Sequence, residues 1–170
     1  MKLLNNLELN SLNDLFLNQL QDLYDAEHRL TKALPKMAEA ATTPDLRNAF
    51  QSHLRETEEH VNRLTGAFQR LGVDPKRETC EAMKGLIEEG EQAISAKGDL
   101  EVKDAALIAA AQRIEHYEIS GYGTARSLAN RLGHSEIAGI LTQTLQEEAA
   151  ADKKLTKIAE TEVNAQALSR

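Results

Sequence analysis

The chain has few of the residues that build sheets, which limits the folds it can adopt. Its 170 residues include no tryptophan and only three phenylalanines, three tyrosines and three prolines. Aromatic residues favour strands, whereas the abundant Ala, Leu, Glu, Gln, Lys and Arg favour helices. Composition therefore predicts an all-α protein, with enough residues for one domain with a substantial core but few for two.

Other scarcities narrow the possible partners and compartment. The single cysteine, Cys80, excludes an intramolecular disulfide and fits a reducing cytoplasm; we interpret it as a small packing residue rather than a redox thiol. Lys and Arg form no dense patch in a chain of net charge −7, which disfavours nucleic acid or an anionic membrane as a partner. No apolar run approaches the roughly 20 residues that span a bilayer. Met1–Asn10 lacks the pattern of a secretory signal, so we expect a cytoplasmic protein.

The spacing of apolar residues predicts four long helices and one shorter connecting helix. Ser11 is suited to cap the first helix, Pro35 should kink it, and Pro44 fits the start of the second. The predicted helices cover about 11–41, 44–72, 78–97, 100–132 and 135–159. Residues 161–170 are expected to fray. In the second helix the apolar stripe is Phe50, Leu54, Thr57, Val61, Leu64, Phe68 and Leu71.

The order of these helices favours one particular bundle. Two helices joined by a short turn are followed by roughly 25 residues of crossover and then by two more helices. Ferritin-like four-helix bundles with one long crossover have this arrangement. We therefore predict a single ferritin-like domain over residues 1–170, with its core at about 11–160. The additional short helix should pack on the outside or end of the bundle.

Acidic residues occupy positions where such a bundle should bury leucine. Glu27, Glu118 and Glu148 each lie at the centre of an apolar stripe with helical spacing. A buried, unpaired carboxylate costs several kcal/mol, and the stripes lack the Arg or Lys that a buried ion-pair network would need. A metal ion is the simplest compensating charge, and two ions suit this much negative charge better than one.

Further candidate ligands lie one helical turn apart on two helices. The second helix carries His53-x-x-Glu56, and the third long helix carries Glu115-x-x-Glu118. Dinuclear carboxylate sites take such residues from four helices, and imidazole shifts the preference towards iron, with manganese as the alternative. The predicted metal ligands are Glu27, His53, Glu56, Glu115, Glu118 and Glu148.

Several residues near the predicted acidic layer remain open between ligation and simpler functions. Glu115 and Glu147 lie towards stripe edges, where either is equally well a solvated residue. His60 is as readily a boundary residue beside Glu56. Asp152 could instead pair with an arginine such as Arg113 or Arg126.

Four short segments carry a resemblance to a known family. They are Leu-Tyr-Asp-Ala-Glu-His at 23–28, Ala-Leu-Pro-Lys-Met at 33–37, Ile-Glu-His-Tyr-Glu-Ile-Ser-Gly-Tyr-Gly at 114–123 and Glu-Glu-Ala-Ala-Ala-Asp at 147–152. With Phe50–Leu64 included, the chain resembles the YciE/YciF-type stress-response family of ferritin-like proteins over about residues 12–160. The resemblance implies a homodimer expressed in the bacterial cytoplasm under stress. Through the related rubrerythrins, it also implies carboxylate ligands at Glu27, Glu56, Glu115, Glu118 and Glu148.

Two hypotheses about function follow from the sequence. The first is a stress-associated protein that binds two iron ions, with ferroxidase or peroxide-reducing activity if it is an enzyme. Dioxygen or peroxide would then be its small oxidant, Glu56 and Glu148 would bridge the ions, and His53 would add a nitrogen ligand. The second is a non-enzymatic helical dimer in which the metal site is vestigial and the bundle binds another protein.

Overall fold

Helices make up most of the computed structural model, which describes residues 7–169. The expectation for Met1–Asn10 therefore falls largely outside the described residues. In chain order the helices are α1 (Leu12–Ala40), α2 (Pro44–Leu71), α3 (Glu81–Ser95), α4 (Leu100–Arg131), α5 (Ser135–Ile158) and α6 (Asn164–Leu168). The predicted all-α fold is confirmed. Within the described residues, no helix has both the length and the apolarity needed to cross a membrane.

Local sequence signals set the ends of the long helices. The Ser11 hydroxyl accepts a hydrogen bond from the backbone N–H of Asp14 and caps α1, as predicted. Pro35 lies within α1 without ending it. Gly72 adopts a left-handed conformation with φ of 68° and terminates α2, and Gly133 does so with φ of 82° between α4 and α5.

The long helices form two hairpins joined by the predicted crossover. The short turns at 41–43 and 132–134 join α1 to α2 and α4 to α5. Side by side, α1 also packs against α4, and α2 against α5, which closes the four-helix bundle. The crossover helix α3 lies against α1 and α4, on the outside of the bundle, as expected for this ferritin-like topology.

Two buried aspartates fasten the connections to the bundle. Asp104, at the start of α4, accepts hydrogen bonds from the backbone N–H groups of Thr42 and Thr43 and from the Thr42 hydroxyl. These bonds secure the α1–α2 turn, whose cap residue Thr43 makes no side-chain capping bond of its own. Asp25 on α1 similarly accepts from the backbone N–H of Cys80, the residue that caps α3, and from Arg77. The α1–α2 turn and the segment before α3 are thereby both fixed by residues distant in sequence.

The apolar core consists of two clusters at different levels along the bundle. On α1, Leu23 belongs to one cluster and Leu30 to the other. On α4, Ile114 and Tyr122 are separated in the same way. The residues between these levels include the candidate ligands, so a polar layer lies between two apolar halves.

One glycine permits close approach of two helices beside this layer. A Cβ atom on Gly121 would lie 2.8 Å from Cδ2 of Leu23, so a side chain there would press α4 away from α1. Leu23 is itself buried and has little room to move. Gly121 thus sets the spacing between the helices that carry Glu118 and Glu27.

The C-terminal segment differs from the expectation that residues 161–170 would fray. Helix α5 continues through a π-helical turn, Ala159–Val163, into α6. Val163 is fully buried and belongs to the core cluster that contains Leu30, so burial of this one side chain anchors the segment. This anchor is hard to predict from the sequence because the residues on either side of Val163, Glu162 and Asn164, are polar.

Candidate metal centre

The polar layer collects side chains from all four long helices. Glu27 comes from α1, two histidines come from α2, two glutamates come from α4, and Glu148 comes from α5. All six side chains are buried: Glu27, His53, His60, Glu115, Glu118 and Glu148. The structure therefore brings together five of the six predicted ligands and adds His60.

These residues form two groups that share a member. His53, Glu115, Glu118 and Glu148 form the outer group, and Glu27, His60 and Glu148 form the inner group. Within each group, every residue offers one potential ligand atom, and these atoms all lie within 4.8 Å of one another. Because Glu148 belongs to both groups, its carboxylate lies between them.

Buried polar atoms without hydrogen bonds are concentrated in this layer. Among residues 7–169, the buried side-chain atoms that have no hydrogen-bond partner are both oxygens of Glu118, both oxygens of Glu148, and one atom each of Glu27, His53, His60 and Glu115. Leaving such a group unpaired costs about 1–3 kcal/mol, and more when it is charged. The donor set, carboxylate oxygens with two imidazole nitrogens, fits iron or manganese, which would satisfy these atoms together.

Both histidines are oriented by hydrogen bonds on their outer nitrogens. Nδ1 of His53 lies 3.2 Å from Oε2 of Glu56, and Nε2 of His60 lies 2.9 Å from Oε2 of Glu147. If each outer nitrogen carries the proton, the inner nitrogen presents a lone pair to the buried carboxylates. A hydrogen bond from the second nitrogen to a carboxylate is the usual arrangement of a metal-bound histidine.

The inner nitrogens lie close to carboxylates without making hydrogen bonds. Nδ1 of His60 is 2.9 Å from Oε1 of Glu148 and 3.3 Å from Oε1 of Glu27. Nε2 of His53 is 3.4 Å from Oε1 of Glu115. Since both nitrogens still lack a hydrogen-bond partner within the described chain, their geometry suits ligands that converge on a common point better than paired ions.

Glu56 does not occupy the predicted bridging position. Its side chain is 44% exposed and lies outside both groups, although it holds His53 from the solvent side. The hydrogen bond to His53 lowers the pKa of Glu56, so this carboxylate is ionised at neutral pH. Glu56 therefore supports the orientation of a candidate ligand rather than joining the cluster itself.

Glu147 has a comparable supporting position on α5. Arg63 contacts both of its oxygens, with Nη1 2.5 Å from Oε2 and Nη2 3.0 Å from Oε1. Although burial raises the pKa of Glu147, the hydrogen bonds from Arg63 and His60 outweigh it and lower the pKa to about 2. Glu147 is thus neither simply solvated nor part of the buried groups.

Burial and side-chain contacts decide between the alternatives left open for Glu115, Asp152 and Cys80. Glu115 is buried, so its interpretation as a solvated edge residue is wrong. Asp152 contacts Gln112 and His116 rather than either suggested arginine. Cys80 is buried and accepts from the backbone N–H of Met83, which agrees with a packing residue; burial raises the pKa of its thiol to about 11.

Burial raises the pKa values of three of the clustered carboxyl groups, those of Glu27, Glu115 and Glu118. It raises the pKa of Glu118 well above the ordinary value, with further contributions from the negative charges of Glu27 and Glu148. Burial likewise raises the pKa of Glu115 to about 8, although His53 opposes the shift. Without metal, the cluster therefore retains protons near neutral pH.

The pKa values of both histidines are raised, which favours their charged forms. Burial alone would lower their pKa values, but Glu115 and Glu56 outweigh it at His53 and raise its pKa to about 9. Glu148 and Glu27 similarly raise the pKa of His60 to about 11. A cation binding between these groups would displace protons from them.

Tyr122 supports the inner group through a buried hydrogen bond. Its hydroxyl donates to Oε1 of Glu27 at 2.5 Å, and the side chain is fully buried. The second oxygen of Glu27, Oε2, has no hydrogen-bond partner in the described chain and remains available. Tyr122 thus holds the Glu27 carboxylate in place through one of its two oxygens.

A small cavity connects the outer group to solvent between α2 and α5. Its volume is about 140 Å³. Phe50 and alanine side chains form its apolar wall, and the polar lining consists of Ser52, His53, Glu56, Glu115, Glu147 and Lys154. The cavity is large enough for water, dioxygen or peroxide beside His53 and Glu115.

The second histidine was available to sequence reasoning but was not selected as a ligand. His53 and His60 are seven residues apart, so they point within about 20° of each other on an α-helix. The buried side of α2 runs through Phe50, His53, Thr57, His60 and Leu64, whereas Leu54 and Val61 are only partly buried. The predicted stripe was therefore rotated towards the apolar residues.

The fold and this layer define the class of protein: a ferritin-like four-helix bundle with a buried cluster of acids and histidines. The chain belongs to the family described as Domain of unknown function (DUF892), whose model matches residues 11–168. It is 46% identical over 145 residues to Protein YciF of Escherichia coli (strain K12), which covers 85% of this chain and 87% of that protein. The resemblance to the YciF-type stress family is thereby confirmed.

Solved structures agree with this assignment. The crystal structure of the E. coli stress protein YciF has a TM-score of 0.88 and 44% identity, covering 92% of this chain and 99% of that chain. YcfI from Rhodopseudomonas palustris has a TM-score of 0.87 and 43% identity, with the same coverage. A Xanthomonas campestris protein at 21% identity and a TM-score of 0.74, covering 94% of this chain and 98% of that chain, shares the fold.

Proposed function

We propose that this chain binds two iron ions, with manganese as the alternative, in the buried layer between its four long helices. The observation that carries the proposal is the cluster of buried carboxylate and imidazole atoms that lack hydrogen-bond partners within residues 7–169. Glu148, which belongs to both groups, would bridge the two ions. His53, Glu115 and Glu118 would complete one position, and Glu27 with His60 the other.

The chemistry proposed for this centre is oxidation of ferrous iron by dioxygen or peroxide under stress. Bound iron would supply the electrons, and the protein would supply a shielded site for a small oxidant. The cavity beside His53 and Glu115 supports access for such a molecule. The acid groups that retain protons near neutral pH would release them as cations bind.

A second candidate is a structural protein with no metal. The raised pKa values of His53 and His60 favour it, because two imidazolium groups would offset part of the buried negative charge. It leaves Glu118 without a compensating contact, however, since neither oxygen of that residue has a hydrogen-bond partner in the described chain. We therefore prefer the metal-binding function.

Metal stoichiometry tests the proposal directly. Chelator-treated protein would be titrated anaerobically with Fe²⁺, and separately with Mn²⁺, and bound metal would be measured after desalting. Two ions per chain are expected, and Glu148→Gln should lose both because its carboxylate is shared. Glu58→Gln, an exposed change on α2, serves as the control. The proposal would be refuted if less than one ion per chain bound at micromolar concentration with Fe²⁺ and with Mn²⁺ alike.

The homodimer and the cytoplasmic location remain predictions. Sedimentation velocity of the purified chain would measure its oligomeric state. Fractionation of the source cells would measure its location.

A further inference from the structure

We propose that cations enter the centre through the cavity between α2 and α5, and that Glu56 is the residue that receives them at its mouth. The inference deepens the proposed function and rests on it. It assigns Glu56 to metal uptake, and it predicts that the outer group fills before the inner group.

The first argument is the difference in accessibility between the two groups. His53 and Glu115 of the outer group line the cavity. Glu27 and His60 of the inner group are fully buried, and neither belongs to that lining. A cation coming from this cavity therefore meets the outer group first and reaches the inner group past the shared residue Glu148.

The second argument concerns the two carboxylates at the mouth. Glu147 is held by both terminal nitrogens of Arg63 and also by His60, so its charge is already compensated. Glu56 is held through Oε2 by a single hydrogen bond to His53, and its side chain is 44% exposed. The Glu147 side chain is only 29% exposed, so Glu56 is the more accessible of the two to an arriving cation.

The third argument is the position of a positive charge at the same mouth. Lys154 on α5 is exposed and also lines the cavity. It should repel an arriving divalent cation, whereas Glu56 should attract it. Neutralising Glu56 should therefore slow uptake and neutralising Lys154 should quicken it. The exposed Glu58, which does not line the cavity, measures the effect of overall protein charge alone.

Stopped-flow uptake of Co²⁺ by metal-free protein, followed by visible absorbance, tests the role of Glu56. Removing one charge at the mouth should slow the first phase about three- to tenfold in Glu56→Gln. Lys154→Gln should quicken it, and Glu58→Gln should match the original protein. Equal rates for Glu56→Gln and Glu58→Gln would overturn the assignment of Glu56.

Variants within the two groups test the order of filling. Glu27→Gln should retain the first phase and lose the second, whereas Glu115→Gln should impair both. The opposite pattern would overturn the proposed order. If the unaltered protein takes up Co²⁺ at equilibrium but these rate differences are absent, only this inference fails. If it takes up neither Co²⁺ nor Fe²⁺, the proposed function fails as well.

Discussion

Replacing Glu118 with glutamine should stabilise the metal-free protein and weaken its response to metal. Glu118 is fully buried, and neither of its oxygens has a hydrogen-bond partner within residues 7–169. Burial and the nearby charges of Glu27 and Glu148 raise its pKa well above the ordinary value. Glutamine keeps the shape, cannot ionise, and carries an amide that can donate to those carboxylates.

The magnitude follows from the cost of the unpaired group. A buried polar group without a partner costs about 1–3 kcal/mol, and Glu118→Gln should recover an amount in this range. For a domain of this size, 1 kcal/mol corresponds to a change in Tm of about 2–4 °C. We therefore expect the Tm of the metal-free variant to rise by about 2–12 °C.

Added metal should make the original protein more stable than Glu118→Gln. A ligand at one hundred times its Kd stabilises the native state by about 2.7 kcal/mol, and the original protein should gain at least this amount. The variant loses one ligand of the outer group and should gain less.

Thermal unfolding with chelator, and then with Mn²⁺, measures both effects, and Glu58→Gln serves as the control. A metal-free variant that melts below the original protein would show that the Glu118 carboxylate is stabilising, and would contradict the reasoning. Equal Mn²⁺-induced shifts would exclude Glu118 as a ligand.

Three further predictions concern protonation and two buried hydrogen bonds. In metal-free protein the pKa of His53 is raised to about 9, so its protonation contributes to the free energy of unfolding, and this contribution is complete below pH 6.5. The contribution should be lost as the pH rises towards about 9, by up to about 1.4 kcal/mol per pH unit. Urea unfolding between pH 6 and 9 measures it, and a flat profile would contradict it. Asp104→Ala should destabilise the protein by about 2–3 kcal/mol, because the backbone N–H groups of Thr42 and Thr43 lose their acceptor. Asp104→Asn keeps one acceptor oxygen and should destabilise the protein less in the same urea assay. Equal losses of stability in the two variants would contradict the reasoning. Tyr122→Phe removes the hydrogen bond to Glu27 and should weaken Mn²⁺ affinity about tenfold by calorimetry; unchanged affinity would exclude a positioning role.

The sequence was sufficient for the fold because each long helix carries its own signals. Ser11, Pro44, Gly72 and Gly133 lie at or beside helix ends, and apolar spacing specifies the inward sides. Residues 159–168 were less predictable because a single buried side chain, Val163, secures a mainly polar segment. That contact depends on neighbouring helices, which periodicity along one helix does not describe.

The candidate ligands could be predicted where an acidic residue lies within an apolar helix face. They could not be predicted fully on α2, because the ligands themselves make its buried face polar. Glu27, Glu118 and Glu148 were identifiable because leucine, isoleucine and alanine mark their sides. On α2 the buried side contains His53 and His60, so the apolar residues Leu54 and Val61 indicated a slightly rotated face. Glu56 was selected for its spacing from His53, one helical turn away, and it lies beside the solvent-accessible cavity instead of in the buried groups.

The long-range contact of Asp104 has a consequence for synthesis of the chain. The α1–α2 hairpin leaves the ribosome first, but the acceptor for the backbone N–H groups of its turn lies 62 residues after Thr42 and 61 after Thr43. Until α4 emerges, that turn must be hydrated or otherwise satisfied. A nascent chain arrested before residue 100 should accordingly show rapid amide exchange and early proteolytic cleavage at the hairpin tip.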